Sequence, residues 1–392
     1  SAATTITATA TAPLPKQWKE MAQIDAKVDW TLLNTDLKTL PIEGAPLGGQ
    51  LNGGGSITLS DGKLTGLPAK LHGSNLSVKS VGIESIDIEL TGSPQKIIAR
   101  SIDVQLDPKN RVKLSGELST TGTQPFKIHW EANASDLAKL ASLAGINEPP
   151  LPEKGRLITS GNASGEVTDL KQKDYTELVA DVRLDLDDVV WRGASLKTMR
   201  LIAAAENGQA TLQDLTLNLD EQNYLSLSGA APVTLAGSFT GRADVHFSEI
   251  EKLNPWLSIA NAPPVTGGAV TVEWQGSGDL AQHSIIGRGA LDLQGIKMAQ
   301  LPDPVSAKLK VQHQGKRLEL ESITLSTGHL RLEGGATISE TDAELLGLQF
   351  WSDQTKLASL SAKLPLALTA HPPIDAARPL DLDLQMENLS FD

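Results

Sequence analysis

The side chains of this 392-residue chain that could do chemistry are scattered, and their spacing argues against a reaction centre. Seven histidines (His72, His129, His246, His283, His313, His329 and His371) stand singly. None forms the H-x-x-x-H or H-E-x-x-H pair that would hold a metal and activate water. Cysteine is absent, which removes disulfides, thiolate ligands and a cysteine nucleophile together. Carboxylates come in suggestive sets: Asp185, Asp187 and Asp188, and Asp381 with Asp383. A spacing of two puts Asp185 and Asp187, and likewise Asp381 and Asp383, on a wet strand face rather than in a cleft built for acid-base work. Gly53-Gly54-Gly55 lacks the Gly-Lys-Ser/Thr ending and following helix of a phosphate loop, and no G-x-S-x-G elbow occurs. The sequence therefore points away from an enzyme and calls for no cofactor. A net charge of -13 without clustered Lys and Arg likewise argues against a nucleic-acid partner and against attraction to anionic membranes by charge alone.

A repeat, not a motif, organises the chain. A hydroxyl residue, an apolar residue two positions on and a leucine three after that occur at Thr35-x-Leu37-x-x-Leu40, Ser135-x-Leu137-x-x-Leu140, Ser248-x-Ile250-x-x-Leu253 and Thr355-x-Leu357-x-x-Leu360. The final leucines lie 100, 113 and 107 residues apart. Each pattern predicts a short helix, with Ser248 and Glu251 as a capping box in the third and Leu137, Leu140, Ala141 and Ala144 as the stripe of the second, ended by Gly145. Trp30 and Trp130 precede these helices, with Phe350 as a counterpart, and are expected to fill the gap where helix meets sheet. The period divides the chain at 1–46, 47–150, 151–264 and 265–392. The first segment ends a preceding unit, the last holds one unit and the start of the next, and all four form one continuous array.

Between the helices, apolar and polar residues alternate one by one, as in Ile86-Asp-Ile-Glu-Leu90, Val182-Arg-Leu-Asp-Leu186 and Leu215-Thr-Leu-Asn-Leu219. Such alternation predicts strands with one greasy and one wet face. Short turns at Ser60-Asp-Gly62, Glu206-Asn-Gly208 and Gln314-Gly-Lys316 favour antiparallel neighbours. Four helices of about two turns cannot cover some twenty strands, which at roughly 4.8 Å spacing would extend about 95 Å. The greasy face must then bury itself, either by closing around packed side chains or by staying open along one seam as a trough. Aromatic residues make up only 4% of the chain, which leans towards a smooth aliphatic lining. The expected fold is mainly β: a long, curved, mostly antiparallel sheet forming a taco-like hydrophobic groove from repeated units, with a few short helices.

The Asp136-Leu-x-x-Leu140 helix, the proline break Pro149-Pro-Leu-Pro152, the glycine-punctuated strand from Gly155 to Gly165 and the alternating strands ending in Leu-Ser-Gly resemble the AsmA-like superfamily, TamB-type proteins most of all. The same order recurs from Glu249 to Gly278, and partly from Asp36 to Gly55. The resemblance implies a groove-like sheet with a hydrophobic interior. In the family it is held between the inner and outer membranes of diderm bacteria by an N-terminal transmembrane helix and a C-terminal domain. It also implies phospholipid transport to the outer membrane and, for TamB, outer-membrane protein assembly. On that reading the chain is a piece of a longer periplasmic protein, anchored in the inner membrane by a segment outside it. Its partners would be phospholipid acyl chains, the two membranes through other parts of the protein, and outer-membrane assembly proteins.

The expected groove lining comprises Ile57, Leu59, Ile86, Ile88, Ile102, Val104, Val112, Leu114, Val182, Leu184, Leu215, Leu217, Val270, Val272, Leu309, Val311, Leu330 and Leu332. The expected function is intermembrane phospholipid transport, the apolar groove shielding the acyl chains. Two alternatives stay open: a scaffold that pairs its edge strands with outer-membrane β-barrel clients, and a structural β-solenoid with a filled interior.

Overall fold

The computed structural model describes residues 5–12, 25–39, 47–61, 63–78, 81–137, 152–234, 236–279, 281–282, 284–298, 300–366 and 378–387. The alternating stretches all become strands. Among the described residues there are 23 of them and two short α-helices, and the strands belong to one antiparallel sheet. Two compact units divide the chain, Ser1–Trp191 with Ile202–Gly208, and Arg192–Leu201 with Gln209–Asp392.

In the first unit the strands are β1 (Thr5–Thr11), β2 (Ala26–Asp36), β3 (Leu47–Ser60), β4 (Lys63–Gly66), β5 (Ala69–Val78), β6 (Val81–Ser93), β7 (Lys96–Asp107), β8 (Asn110–Ser119), β9 (Pro125–Ala134), β10 (Lys154–Glu166) and β11 (Val179–Trp191). Each pairs antiparallel with the next, except that β3 passes directly to β5 and carries the short β4 at its end. Strand β12 (Ala194–Glu206) contributes residues to both units. The second unit continues the same way through β13 (Gln209–Asn218), β14 (Asn223–Pro232), β15 (Ser238–Phe247), β16 (Val265–Asp279), β17 (Ser284–Met298) and β18 (Val305–Gly315). It ends with β19 (Arg317–Thr327), β20 (Leu330–Ile338), β21 (Asp342–Ser352), β22 (Thr355–Pro365) and β23 (Asp381–Met386). These pair in sequence order from β13 to β23. Pairing between sequence neighbours is what short turns impose, because a parallel partner would need a long crossover. Asn207 and Gly208 both have positive φ (51° and 71°), as a tight primed turn requires. Pro125, Pro232 and Pro365 sit at strand ends, where a missing N–H costs little.

The helix patterns fare differently. The first gives a 3-10 turn, Leu37–Thr39. Leu37 packs against the buried cluster of Leu76, Ile83 and Leu106, so this turn covers one end of the greasy face. The second lies beyond Leu137 outside the described residues, with Ala141, Ala144 and Gly145. The third gives a 3-10 turn, Ile250–Leu253, followed by α2 (Asn254–Ile259). Its expected capping box does not form: Glu249 occupies the cap position without a side-chain bond, and the Ser248 hydroxyl meets Gln222 at 3.4 Å. Asn254 fixes this helix instead, accepting from the Val265 N–H (2.9 Å) and donating to the Val265 carbonyl (2.7 Å) at the start of β16. The fourth pattern is corrected outright. Thr355 to Leu360 open strand β22, which is hydrogen-bonded to β21 on one side and β23 on the other. Two ladders outweigh a helix of two turns, which is marginal alone. An unforeseen helix, α1 (Val167–Gln172), follows β10.

Two hairpin turns are stapled in the same way. Asn110, only 3% exposed, donates from Nδ2 to the Asp107 carboxylate at 2.7 Å and accepts the backbone N–H groups of Ser135 and Asp136. Asn223, fully buried, makes the same bonds to Asp220 (2.8 Å) and to the Glu249 N–H (3.1 Å). Each buried amide locks the turn of one hairpin to the segment leaving the next strand. Lys252 closes the second staple with Asp220 (2.8 Å) and Glu249 (3.0 Å). The Lys252 ammonium, helped by hydrogen bonds from Gln222 and Asn223, holds the Asp220 carboxyl down at about 2.

Replacing Asn223 by Ala strands buried donors and acceptors, and is expected to lower unfolding free energy by about 1–3 kcal/mol in urea titration; an unchanged midpoint would contradict the staple. Because the folded Asp220 titrates below its unfolded value of 3.8, its contribution is complete above about pH 4 and fades as pH falls towards 2. Lys252→Met is accordingly expected to lose less stability than the wild type between pH 4 and pH 2.

Candidate functional site

Residues directly opposite each other on antiparallel strands share a face, so register shows which side chains form a surface. In the first unit one row runs Ile6, Leu32, Gly53, Leu71, Ile88, Ile102, Leu114, Trp130, Gly161 and Val182, one residue from each of ten paired strands. The next row carries Leu51, Gly73, Ile86, Val104, Val112, Ala132, Thr159 and Leu184. Ile57 and Leu59 extend the same face of β3, opposite Val28 and Ala26. In the second unit Leu217, Leu225, Val245, Val272, Leu291, Leu309 and Ile323 form one row. Leu215, Leu227, Ala243, Trp274, Gly289, Val311 and Leu320 form its neighbour. Val270 and Leu332 lie in a third row that includes Leu293, Ala307 and Leu325. Leu330, opposite Thr327, shares this face but sits at the strand end and is 47% exposed. All eighteen residues expected to line a groove thus fall on the apolar face of their own unit.

Seventeen of them are half-buried. A second packed layer would bury such residues almost completely. Buried hydrophobic residues cluster instead at strand ends, as with Leu76, Ile83, Leu106 and Ala134, while Ile97, Leu118 and Ile128 on the same face are well exposed. Within each unit the middle of the apolar face is mostly half-buried among the described residues.

The tryptophans are placed differently from expectation. Trp30, Trp130 and Trp274 stand mid-strand on the apolar face, and each ring lies over glycine. A Cβ on Gly55 would come within 2.8 Å of the Trp30 ring, on Gly161 within 2.6 Å of Trp130 Cη2, and on Gly241 within 3.0 Å of the Trp274 ring. Glycine on a neighbouring strand lets the ring lie flat, which repairs the gap a glycine leaves in a sheet. Gly53 to Gly55 are accordingly strand residues packed against β2 and β5. Phe350 also faces this side, opposite Leu332 and Ala358.

The opposite face is a lattice of ion pairs. Asp87 and Asp103 are direct neighbours, yet His72 meets Asp87 at 2.7 Å and Arg111 grips Asp103 through Nε at 2.7 Å. The Arg111 hydrogen bond and charge hold the Asp103 carboxyl below its ordinary value. Asp187 binds Arg156 and Asp185 binds Arg183, so these acids are solvated face residues. His129 lies against Asn162 at 2.9 Å and His246 stacks on Tyr224. His283 and His371 lie outside the described residues. No group of three or more metal-ligating side chains is brought together among the described residues, and no helix of theirs is long and apolar enough to cross a membrane.

Sequence reasoning missed both asparagine staples, although Asp107-x-x-Asn110 and Asp220-x-x-Asn223 recur 113 residues apart, the spacing of the second and third helix patterns. That coincidence was the available signal. Compared with known proteins, the chain matches no family model, no curated protein and no solved structure.

Gly161→Val would drive a side chain into the Trp130 ring and the facing strand. It is expected to cost about 1–3 kcal/mol and to shift Trp130 emission to the red; unchanged emission and stability would show that the ring does not rest on the glycine.

Proposed function

We propose that the apolar face carries the acyl chains of phospholipids, shielding them from water as they pass between the inner and outer membranes of a diderm bacterium. What supports this reading is the half-buried, largely aliphatic surface that register builds within each unit. Exposing one methylene to water costs about 0.8 kcal/mol, so a chain of about 15 costs roughly 12 kcal/mol. An uncovered greasy sheet removes much of that penalty, and the lipid in turn covers the sheet. The head group stays in water, so no cationic pocket is needed on this face. The resemblance of the repeat to AsmA-like proteins supports a periplasmic setting.

A second reading, strand pairing with outer-membrane β-barrel clients, is favoured by one feature. Strand β1, Thr-Ile-Thr-Ala-Thr-Ala-Thr, is exposed along its whole length, has no charge or proline, and among the described strands pairs only with β2. Such an edge is unguarded against strand addition.

Native mass spectrometry of the gently purified chain is expected to find bound phospholipid. Ile88→Asp, Ile102→Asp and Leu114→Asp together are expected to reduce it at least tenfold, while Lys113→Ala on the opposite face leaves it intact. A lipid-free wild type, or equal lipid on the triple variant, overturns the transport reading. Proline at Ala8 or Thr9 that abolishes binding of a client β-strand peptide while lipid stays bound would assign the edge to clients.

A further inference from the structure

A concavity of about 1180 Å³ lies in the second unit. Strands β14 to β19 line it, and the polar side chains that matter fall in two neighbouring rows on the face opposite Trp274. One row runs Ser228, Arg242, Gln275, Arg288, and the other brings Asp244 opposite Glu273. Across the rest of the wet face, guanidinium groups are engaged: Arg100, Arg111, Arg156, Arg183, Arg331 and Arg378 all hold carboxylates, and Arg317 reaches Thr337. Among the described arginines only Arg242 and Arg288 have neither an ion pair nor a hydrogen bond. Both line this one cavity, two strands apart, with the Gln275 amide between them.

The acids beside them are equally unserved. Asp244 and Glu273 are direct cross-strand neighbours of like charge, an arrangement that is destabilising by itself, and neither has an ion pair. Lys310 lines the same cavity but stands two strands from Glu273 and pairs with no acid. The two guanidinium groups thus occupy one row and the carboxylate pair the next, which Ala290 and Lys310 continue, about 7 Å away along the strands at two residues of rise.

We infer that this cavity is a binding site for a zwitterionic phosphate of the phosphoethanolamine class, its phosphate held between Arg242 and Arg288 and its ammonium by Asp244 and Glu273. Two guanidinium forks offer more donors than the two oxygens of a carboxylate can use, and phosphate oxygens match them. The Ser228 hydroxyl and the Gln275 amide add neutral donors at the same level. The cationic arm relieves the repulsion between the two carboxylates. Because the site is on the wet face, it is separate from the surface proposed for acyl chains, and either can fail without the other. The ligand could be a free small molecule or the exposed head group of a membrane lipid.

Isothermal titration of the full chain with O-phosphoethanolamine, beside inorganic phosphate, tests the site. The wild type is expected to bind O-phosphoethanolamine saturably, and Arg242→Gln with Arg288→Gln to weaken it at least about tenfold. Asp244→Asn with Glu273→Gln is expected to abolish the preference over inorganic phosphate. The arginine variant removes unpaired groups and should unfold at the wild-type midpoint, and the neutralised acid pair at or above it, which circular dichroism checks. Co-sedimentation with phosphatidylethanolamine vesicles that is lost in the double arginine variant would identify the head group as the source; binding of the free ligand alone would identify the small molecule. No saturable binding by the wild type in either arm, or equal binding by the double arginine variant, overturns the site.

Discussion

The proposed function rests on a mismatch, among the described residues, between the amount of one-sided sheet and the amount of structure that covers it. Strict alternation commits every strand to a greasy and a wet face. The described helices, α1, α2 and two 3-10 turns, amount to a few turns in all. They reach strand ends, as Leu37 does at Leu76, Ile83 and Leu106, and leave the middle rows half-exposed. On the proposed reading a phospholipid tail supplies the cover that the described residues do not, and it gains as much from the contact as the sheet does.

The wet face shows what holds such a surface in place. Its stabilisation is spread over cross-strand ion pairs, each worth little alone because both partners are solvated. More specific are the buried amides of Asn110 and Asn223, which tie hairpin turns to the segments leaving adjacent strands.

The sheet was legible in the sequence because its signal is local. Alternation in Ile86 to Leu90 or Leu215 to Leu219 shows the period directly, and Asn207-Gly208 marks a turn by backbone chemistry alone. Within each unit the aliphatic residues expected to line a groove share the apolar face of their strands, since parity along a strand fixes the face. Thr355 to Leu360 was misread because Leu357 and Leu360 fit a helical spacing over too few residues, while the strand is decided by hydrogen bonds to β21 and β23. Trp130 could not be placed from sequence, because its partner Gly161 is 31 residues away and found only through register. The same is true of Arg242 and Arg288, which become a pair only when β15, β16 and β17 lie side by side.

The most direct test of the central claim is whether hydrocarbon reaches the middle of the apolar face. Trp130 stands there, so a variant retaining it as the single tryptophan of the seven can be titrated with phospholipid brominated along its acyl chains. Strong, saturable quenching by the brominated lipid, relative to the unbrominated one, is the predicted result. Fluorescence indifferent to bromination would mean that the face is closed to acyl chains, and the account would be wrong.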